Sequence, residues 1–384
     1  MIQPFQISIP QQQLDDLKQR LEQAKLPSPQ TDEPWKLGAD QTFIQKLITY
    51  WQQEYDWRKQ EQFLNQFPQY IAQIDSFAIH FLHIKGERDD ATPLLITHGW
   101  PGSFIEHVVL IPYLTQPSQH GGTADQAFDV IIPSLPGFGF SSVPNESGTH
   151  AQKVAHLWAQ LMEQLGYERY VVQGGDIGAM VSTWISLLYP ERVHGLHLNF
   201  IPTSYQPPLG DNDPPLTVAE QRYLEEAQQF MMREGAYAAL HRTKPETIAF
   251  ALSDSPIGLA AWLGEKFYSW TDHDGNLEDA VSLDTLLTNI SIYWFTNTIA
   301  SSMRIYAEGT KVPLTFATGE KLTVPTGVSA FPKELLSPPR SWAERAFPIV
   351  RWEQLEHGGH FAALEQPQVF AEQVRNFVYD TLKI

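Results

Sequence analysis

The run Val171-Val172-Gln173-Gly174-Gly175-Asp176-Ile177-Gly178-Ala179 constrains what this chain can fold into more than any other stretch. A short apolar segment of the kind that forms a buried strand passes through glycine directly into a helical pattern. The chain must therefore reverse on one sharp turn, and that turn carries a carboxylate. Gly174 and Gly178 stand two residues before and two residues after Asp176, the spacing a strand-to-helix elbow needs, because bulky neighbours cannot sit against so tight a backbone. With Ser at its centre such an elbow attacks acyl carbons. A carboxylate is better suited to displacing a leaving group from a saturated carbon, which leaves an ester between protein and substrate. A glycine-flanked Asp also fits a plain turn or helix cap, so the elbow becomes a site only with partners from elsewhere.

The chain around the elbow alternates strand and helix. Strands are expected at Leu94–Thr97, Phe128–Ile132, Tyr170–Gln173 and Val193–Leu198, with helices near 103–114, 150–165 and 178–189. This alternation argues for a parallel sheet covered on both faces. From about 201 to 308 the pattern changes. Pro207, Pro208, Pro214 and Pro215 lead into helical, aromatic segments with no clear strand, which suits a helical lid inserted into the sheet domain. The sheet resumes at Leu322–Ser329 and Ile349–Leu355, and a last helix runs from Pro367 to about Leu382, with proline in its first turn. Residues 1–88 form an N-terminal piece. Leu14, Leu17 and Leu21 recur at helical spacing, Pro27, Pro29 and Pro34 break the chain, and a second helix runs through Phe43, Leu47, Ile48, Trp51 and Tyr55. Its aromatics need something to cover, so this piece is expected to wrap around the main domain, with a strand at Phe77–Ile84. The divisions expected are 1–88, 89–200, 201–308 and 309–384.

Composition narrows the function. A formal charge of -18 disfavours binding to nucleic acid or anionic membrane. The chain has no cysteine, which removes thiolate nucleophiles, thiolate metal sites and disulfides together. The first residues lack a basic region followed by an apolar run, and no apolar stretch reaches the length of a membrane span. A soluble cytoplasmic protein without a membrane anchor is the expectation, and homo-oligomerisation is left open.

An ester on Asp176 must be hydrolysed, which calls for a general base oriented by an acid. His360, in Glu356-His357-Gly358-Gly359-His360-Phe361, follows a strand and two glycines and is the best of 13 histidines. His357 competes but lies closer to the strand. Glu334 follows the strand that ends at Ser329 and is the preferred acid; Glu320 precedes that strand and falls at the wrong end of the sheet. The ester carbonyl oxygen must also be held while water attacks. The backbone N–H of Ile177, next after the nucleophile, is one donor, and Trp100 in His98-Gly99-Trp100-Pro101 is the second. That tetrapeptide reads equally as a tight turn around a cis proline.

These residues, taken in order, resemble the microsomal-type epoxide hydrolases, a group that includes the juvenile-hormone epoxide hydrolases. The resemblance runs nearly end to end. It is carried by Tyr55-Asp56-Trp57-Arg58, Leu64-Asn65-Gln66-Phe67-Pro68-Gln69, His98-Gly99-Trp100-Pro101-Gly102-Ser103, Gly174-Gly175-Asp176, Ser253-Asp254-Ser255-Pro256, Val324-Pro325-Thr326-Gly327 and Gly358-Gly359-His360-Phe361-Ala362-Ala363. It implies an α/β-hydrolase fold, with Asp176 as nucleophile, His360 as base and Glu334 as acid. It also implies two lid tyrosines that protonate the epoxide oxygen as the ring opens. Spacing cannot choose among 14 tyrosines; the resemblance points to Tyr306, in Ser301-Ser302-Met303-Arg304-Ile305-Tyr306, and to Tyr237, six residues before Thr243. A phenol suits the role because it donates a proton without carrying charge beforehand.

The expected activity is therefore hydrolysis of a small lipophilic epoxide to a diol, with no cofactor and no metal. Two alternatives stay open: a haloalkane dehalogenase, disfavoured because Ile177 stands where such enzymes usually carry a halide-binding Trp, and a non-catalytic binder of lipophilic molecules. Asp272-His273-Asp274-Gly275-Asn276 briefly looks like a calcium loop. Its glycine comes too early and Leu283 occupies the twelfth position, so it reads as a solvated turn. Gly137-x-Gly139 lacks the glycine spacing of a dinucleotide fingerprint.

Overall fold

A computed structural model describes residues 1–28, 33–202, 205–211 and 213–384; Pro29, one of the prolines that break the N-terminal piece, lies outside the described residues. The strands are β1 (Ile2–Phe5), β2 (Gln69–Ile74), β3 (Phe77–Ile84), β4 (Thr92–Thr97), β5 (Phe128–Pro133), β6 (Tyr170–Gly174), β7 (Val193–Leu198), β8 (Thr326–Ala330) and β9 (Ile349–Gln354). They form one sheet in the order β1-β2-β3-β5-β4-β6-β7-β8-β9. The joins from β1 to β5 are antiparallel, and every join from β5 to β9 is parallel.

Alternation along the central strands explains the two covering layers. On β4, Leu94 and Ile96 pack with Phe104, Val108, Phe370 and Phe377, whereas Leu95 points the other way and packs with Val154, Trp158 and Ile185. Val171 and Val172 of β6 divide in the same manner. Each buried Leu, Ile or Phe contributes roughly 1.5–3 kcal/mol relative to exposure. Helices Ala151–Gln164 and Asp176–Leu188 cover one face; helix Pro367–Arg375 and the turn Phe104–Leu110 cover the other. The structure is the mostly parallel, doubly covered sheet expected from the sequence.

The differences from expectation have local causes. The N-terminal segment does more than wrap: β1, β2 and β3 extend the sheet itself. β1 contains Pro4, which a central strand could not hold; as the edge strand, paired only with β2, β1 tolerates the missing N–H. The strand expected over Leu322–Ser329 begins only at Thr326, because Pro325 just before it has no N–H for the ladder. The segment expected as a helix near 103–114 winds first as a tighter 3₁₀ turn, Phe104–Leu110, and then as a short helix, Ile111–Thr115. The last helix passes into a wider turn over Asn376–Leu382.

After β7 the chain builds a helical layer from Val218–Arg233, Ala236–Thr243, Pro245–Asp254, Pro256–Trp270, Leu283–Thr296 and Ile299–Gly309. No strand of the sheet falls among its described residues. This layer sits over the carboxyl ends of the parallel strands, where a sheet of this kind places its ligand site. Among the described residues no helix is long and apolar enough to cross a membrane.

Candidate active site

The chain following β6 reaches Asp176 with a φ of 46°, a left-handed conformation unusual for a residue with a side chain. Such a conformation costs roughly 1–3 kcal/mol and persists only where its surroundings enforce it. The neighbouring glycines show the enforcement. A Cβ on Gly178 would lie 1.9 Å from the carbonyl oxygen of Thr97, and one on Gly174 would lie 2.2 Å from the carbonyl oxygen of Gly178. The helix after the elbow is thus pressed against the end of β4, and Asp176 becomes its first residue, two positions earlier than expected.

The two carboxylate oxygens of Asp176 have different surroundings. The Trp100 backbone N–H donates to Oδ1 at 2.8 Å. Oδ2 lies 3.6 Å from His360 Nε2. Ile177 is the second residue of the elbow helix, so its N–H belongs to the first turn, whose donors have no acceptor within the helix. Trp100 therefore places a backbone donor on the carboxylate oxygen other than the one nearest His360.

The Trp100 loop is held from both sides. The peptide bond between Trp100 and Pro101 is cis. His98 Nε2 accepts from the Leu135 N–H at 3.1 Å, which leaves the proton on Nδ1, and that nitrogen donates to the Gly99 carbonyl at 3.0 Å. Burial pushes the pKa of His98 down to about 4, so it stays neutral. From the helical layer, Asn289 donates to the Pro101 carbonyl at 2.8 Å and the Tyr293 hydroxyl donates to the Gly102 carbonyl at 2.7 Å. Neither Asn289 nor Tyr293 carries a sequence signal that singles it out.

His360 Nδ1 is 2.5 Å from Glu334 Oε1, and both side chains are almost fully buried. Glu334 Oε1 also accepts from the Leu335 N–H at 2.7 Å, which fixes the carboxylate after β8. Burial works against charging the imidazole. Glu334 and then Asp176 outweigh it, and the pKa of His360 is raised well above the ordinary value. His357 is exposed, and Glu320 is an exposed residue whose carboxylate accepts from the Ala317 N–H; neither reaches the site.

The turn that carries His360 is a scaffold of backbone bonds. The Gly358 N–H donates to Asp272 Oδ2 at 2.8 Å, the Gly359 and Phe361 N–H groups donate to Glu365 at 2.9 and 3.0 Å, and the His360 N–H donates to the Trp270 carbonyl at 2.8 Å. Gly358 has a φ of 111°, and a Cβ on Gly359 would lie 2.6 Å from the Trp270 carbonyl. The turn is exposed at residues 274–276, as expected, but Asp272 at its start does more than solvate it: its carboxylate ties the helical layer to the His360 loop. The sequence offered no sign of this, since the link joins residues 86 positions apart.

Tyr237 and Tyr306 come from two adjacent helices of the helical layer. Their rings lie edge to face at 6.1 Å. Tyr237 stacks on Trp100 at 5.4 Å, and Tyr306 meets the same indole edge on at 6.0 Å. Burial, with the nearby Asp176 charge adding to it, pushes the pKa of both phenols up, so both remain protonated at neutral pH. His241 completes this aromatic wall, 4.6 Å from the Trp100 ring and 5.0 Å from Tyr306, and burial keeps its imidazole neutral, with a pKa down at about 3. The structure thus brings Asp176, His360, Glu334, Trp100, Ile177, Tyr237 and Tyr306 to one place. Among the described residues no group of three or more His, Asp or Glu side chains is placed to hold a metal ion.

Comparison with known proteins agrees with the architecture. Residues 2–107 match the family described as epoxide hydrolase N terminus, and residues 92–367 match the alpha/beta hydrolase fold. Epoxide hydrolase 1 of Sus scrofa is 38% identical over 98% of this chain and 88% of its own length. The structure of Aspergillus niger epoxide hydrolase superposes with a TM-score of 0.85 at 34% identity, covering 99% of this chain and 97% of that one. The juvenile hormone epoxide hydrolase of the silkworm Bombyx mori gives the same TM-score at 31% identity, over 100% of this chain and 95% of the other.

Proposed function

The chain belongs to the epoxide hydrolases of the α/β-hydrolase fold and converts epoxides to vicinal diols, and from that premise we propose which residue performs each step. The unequal surroundings of the two Asp176 oxygens carry the assignment. Oδ2 attacks an epoxide carbon, the carbon–oxygen bond of the ring breaks, and the departing oxygen takes a proton from Tyr237 or Tyr306. Neither phenol needs to be charged beforehand, and their raised pKa keeps the proton in place until negative charge develops on the ring oxygen. Oδ1 then becomes the ester carbonyl oxygen, already hydrogen-bonded to the Trp100 N–H.

Alkylation removes the negative charge of Asp176. One of the two anions that raise the pKa of His360 is then gone, so more of the ring is in the neutral form that can accept a proton from water in the ester than in the free enzyme. His360 takes a proton from water, and the hydroxide adds to the Asp176 carboxyl carbon. The oxyanion that forms on Oδ1 is held by the Trp100 and Ile177 N–H groups. Collapse breaks the bond between the carboxyl carbon and the ester oxygen, the added hydroxyl gives its proton to that oxygen, and the diol leaves with the carboxylate restored. The proton count closes when the proton on His360 returns to the tyrosine that gave one up.

The substrate proposed is a small lipophilic epoxide, in keeping with the aromatic wall of Trp100, Trp270, Tyr237 and Tyr306. A cytoplasmic location is part of the same proposal, supported by the net charge of -18, which keeps the surface off anionic lipid. The test is intact-protein mass spectrometry of His360→Gln mixed with a terminal epoxide. An adduct of the epoxide's mass, mapped to Asp176, is expected; folded variant without an adduct rejects the assignment. Halide release from a haloalkane, with no diol formed from epoxides, would reveal a dehalogenase.

A further inference from the structure

One buried carboxyl group beside the site has no part in the steps above. Glu106 lies in the 3₁₀ turn Phe104–Leu110, just beyond the Trp100 loop. It packs so closely on that loop that a Cβ on Gly102 would meet Glu106 Oε1 at 1.2 Å. Oε1 is buried with no hydrogen-bond partner among the described residues. Buried polar atoms are rarely left this way, and each such atom calls for an explanation. Glu106 also lines a space beside the nucleophile. A cavity of about 20 Å³ is lined by Glu106 together with Gly99, Trp100, Asp176, His360 and Phe361. That volume holds about one water molecule.

We propose that Glu106 is a positioning residue for ester hydrolysis: its Oε1 accepts one hydrogen of the attacking water while His360 Nε2 accepts the other. This rests on the assignment of Asp176 and His360 above. A water that attacks a carbonyl carbon must direct a lone pair at it, which it does best when both of its hydrogens have acceptors. His360 supplies one acceptor and becomes the proton carrier. No other residue assigned a role in the site supplies the second, since Asp176 is by then an ester and the Trp100 and Ile177 N–H groups are donors. Glu106 takes no proton: the hydrogen it accepts stays on the water oxygen as the hydroxyl adds, and passes to the departing ester oxygen of the diol when the Asp176 carboxylate is restored. Burial also pushes the Glu106 pKa up to about 8, with His360 pulling it back and Asp176 adding to it. At neutral pH the group is thus a neutral carboxylic acid, which offers an acceptor oxygen without placing a second negative charge near the oxyanion that forms on Oδ1.

The experiment is single-turnover kinetics on the full-length enzyme, following formation and decay of the Asp176 ester with one terminal epoxide by rapid quench and intact mass. Three variants separate acceptor from volume: Glu106→Gln keeps an acceptor oxygen, Glu106→Leu keeps the bulk without one, and Glu106→Ala removes both. Ester formation should match wild type in all three, which also shows that each is folded. Decay should slow roughly 10- to 100-fold in the Leu and Ala variants, the scale on which misplacing a reacting group acts, and recover most of its rate in Gln. Wild-type decay in Leu and Ala would overturn the proposal, as would a Gln variant as slow as Leu. If wild type forms no ester on Asp176, the assignment beneath the proposal fails instead, and the proposal falls with it.

Discussion

The two halves of the site are held in place by different means. Asp176, His360, Glu334 and the Trp100 loop stand on turns that follow parallel strands, and backbone groups fix them: Thr97 against Gly178, Trp270 against His360, and Glu365 under Gly359 and Phe361. Tyr237 and Tyr306 stand on two helices and are fixed by ring against ring, on Trp100 and on each other. The sheet half therefore has little freedom, whereas the helical half depends on packing of large side chains. In the proposed mechanism the half with the strictest geometry performs both bond-making attacks. The other half only has to present a hydroxyl to an oxygen that moves as it leaves.

The largest effect is expected from removing the proposed nucleophile. Asp176→Ala leaves nothing to form the ester, and turnover should fall by roughly 10⁴–10⁶-fold, the scale seen when a covalent nucleophile is lost. Diol formation by a freshly prepared variant measures it. Near-normal turnover would mean that the strained elbow is structural and that the two halves meet at some other group.

His360 links the two chemical steps through its charge. The raised pKa of His360 depends on Glu334 and Asp176 together, so forming the ester should lower it. NMR titration of the free enzyme should place the imidazole higher than the midpoint at which ester decay switches on. The sign follows from the chemistry: decay needs the neutral ring, so it rises with pH through the value that applies in the ester. Equal midpoints would show that the Asp176 charge does not reach His360.

The helical half is tested by Tyr237→Phe and Tyr306→Phe. Each change deletes one donor to developing negative charge, a loss on the order of 2–4 kcal/mol by comparison with oxyanion donors, softened in the single variants by the remaining phenol. The double variant should nearly abolish ester formation yet leave decay of a formed ester little changed. Slowed decay in the double variant would mean that the tyrosines also position water, and the division of labour between the halves would fail.

The same division decides what could be read from sequence. Asp176 and His360 stand out because a backbone held that tightly needs glycine at fixed offsets, at 174, 178, 358 and 359, and glycines are visible in a sequence. Glu334 could be preferred to Glu320 because strand order tells which end of a sheet a loop occupies. Tyr237 and Tyr306 leave no such mark, since any aromatic on a packed helix has the same surroundings in one dimension, and only resemblance to a family singled them out. Asn289 and Tyr293 went unread, and Asp272 was read only as part of a turn, because each acts on a partner far away in the chain. In the fold, β2 was missed because Gln69 and Gln73 dilute its apolar residues, and β1 because Pro4 argues against a strand unless that strand is known to be an edge.

The smallest effect expected on turnover tests whether the halves are also joined by charge. Arg345, just past the short helix Arg340–Glu344, forks onto Glu220 at 2.9 and 2.8 Å and also donates to the carbonyls of Pro214 and Pro215. Glu220 lies in the first turn of helix Val218–Arg233, so this contact ties the start of the helical layer to the sheet-borne chain. The two side chains are only 8% and 1% exposed, so solvent screens the pair little. Arg345 is the main cause that holds the Glu220 pKa down at about 2, and burial opposes it. A carboxyl group depressed in this way stabilises the folded state fully above its unfolded value of about 4.5 and ceases to do so as pH falls through about 2. Glu220→Gln should therefore lose on the order of 3 kcal/mol at pH 7, measured by urea unfolding. The gap from wild type should close between pH 5 and pH 2, because the other carboxyl groups titrate alike in both proteins and cancel. Ester formation and decay at pH 7 should change little, since no reacting group touches the pair. A variant that keeps its stability but loses ester formation would show that the contact positions the tyrosines, and that charge as well as ring packing holds the helical half in register.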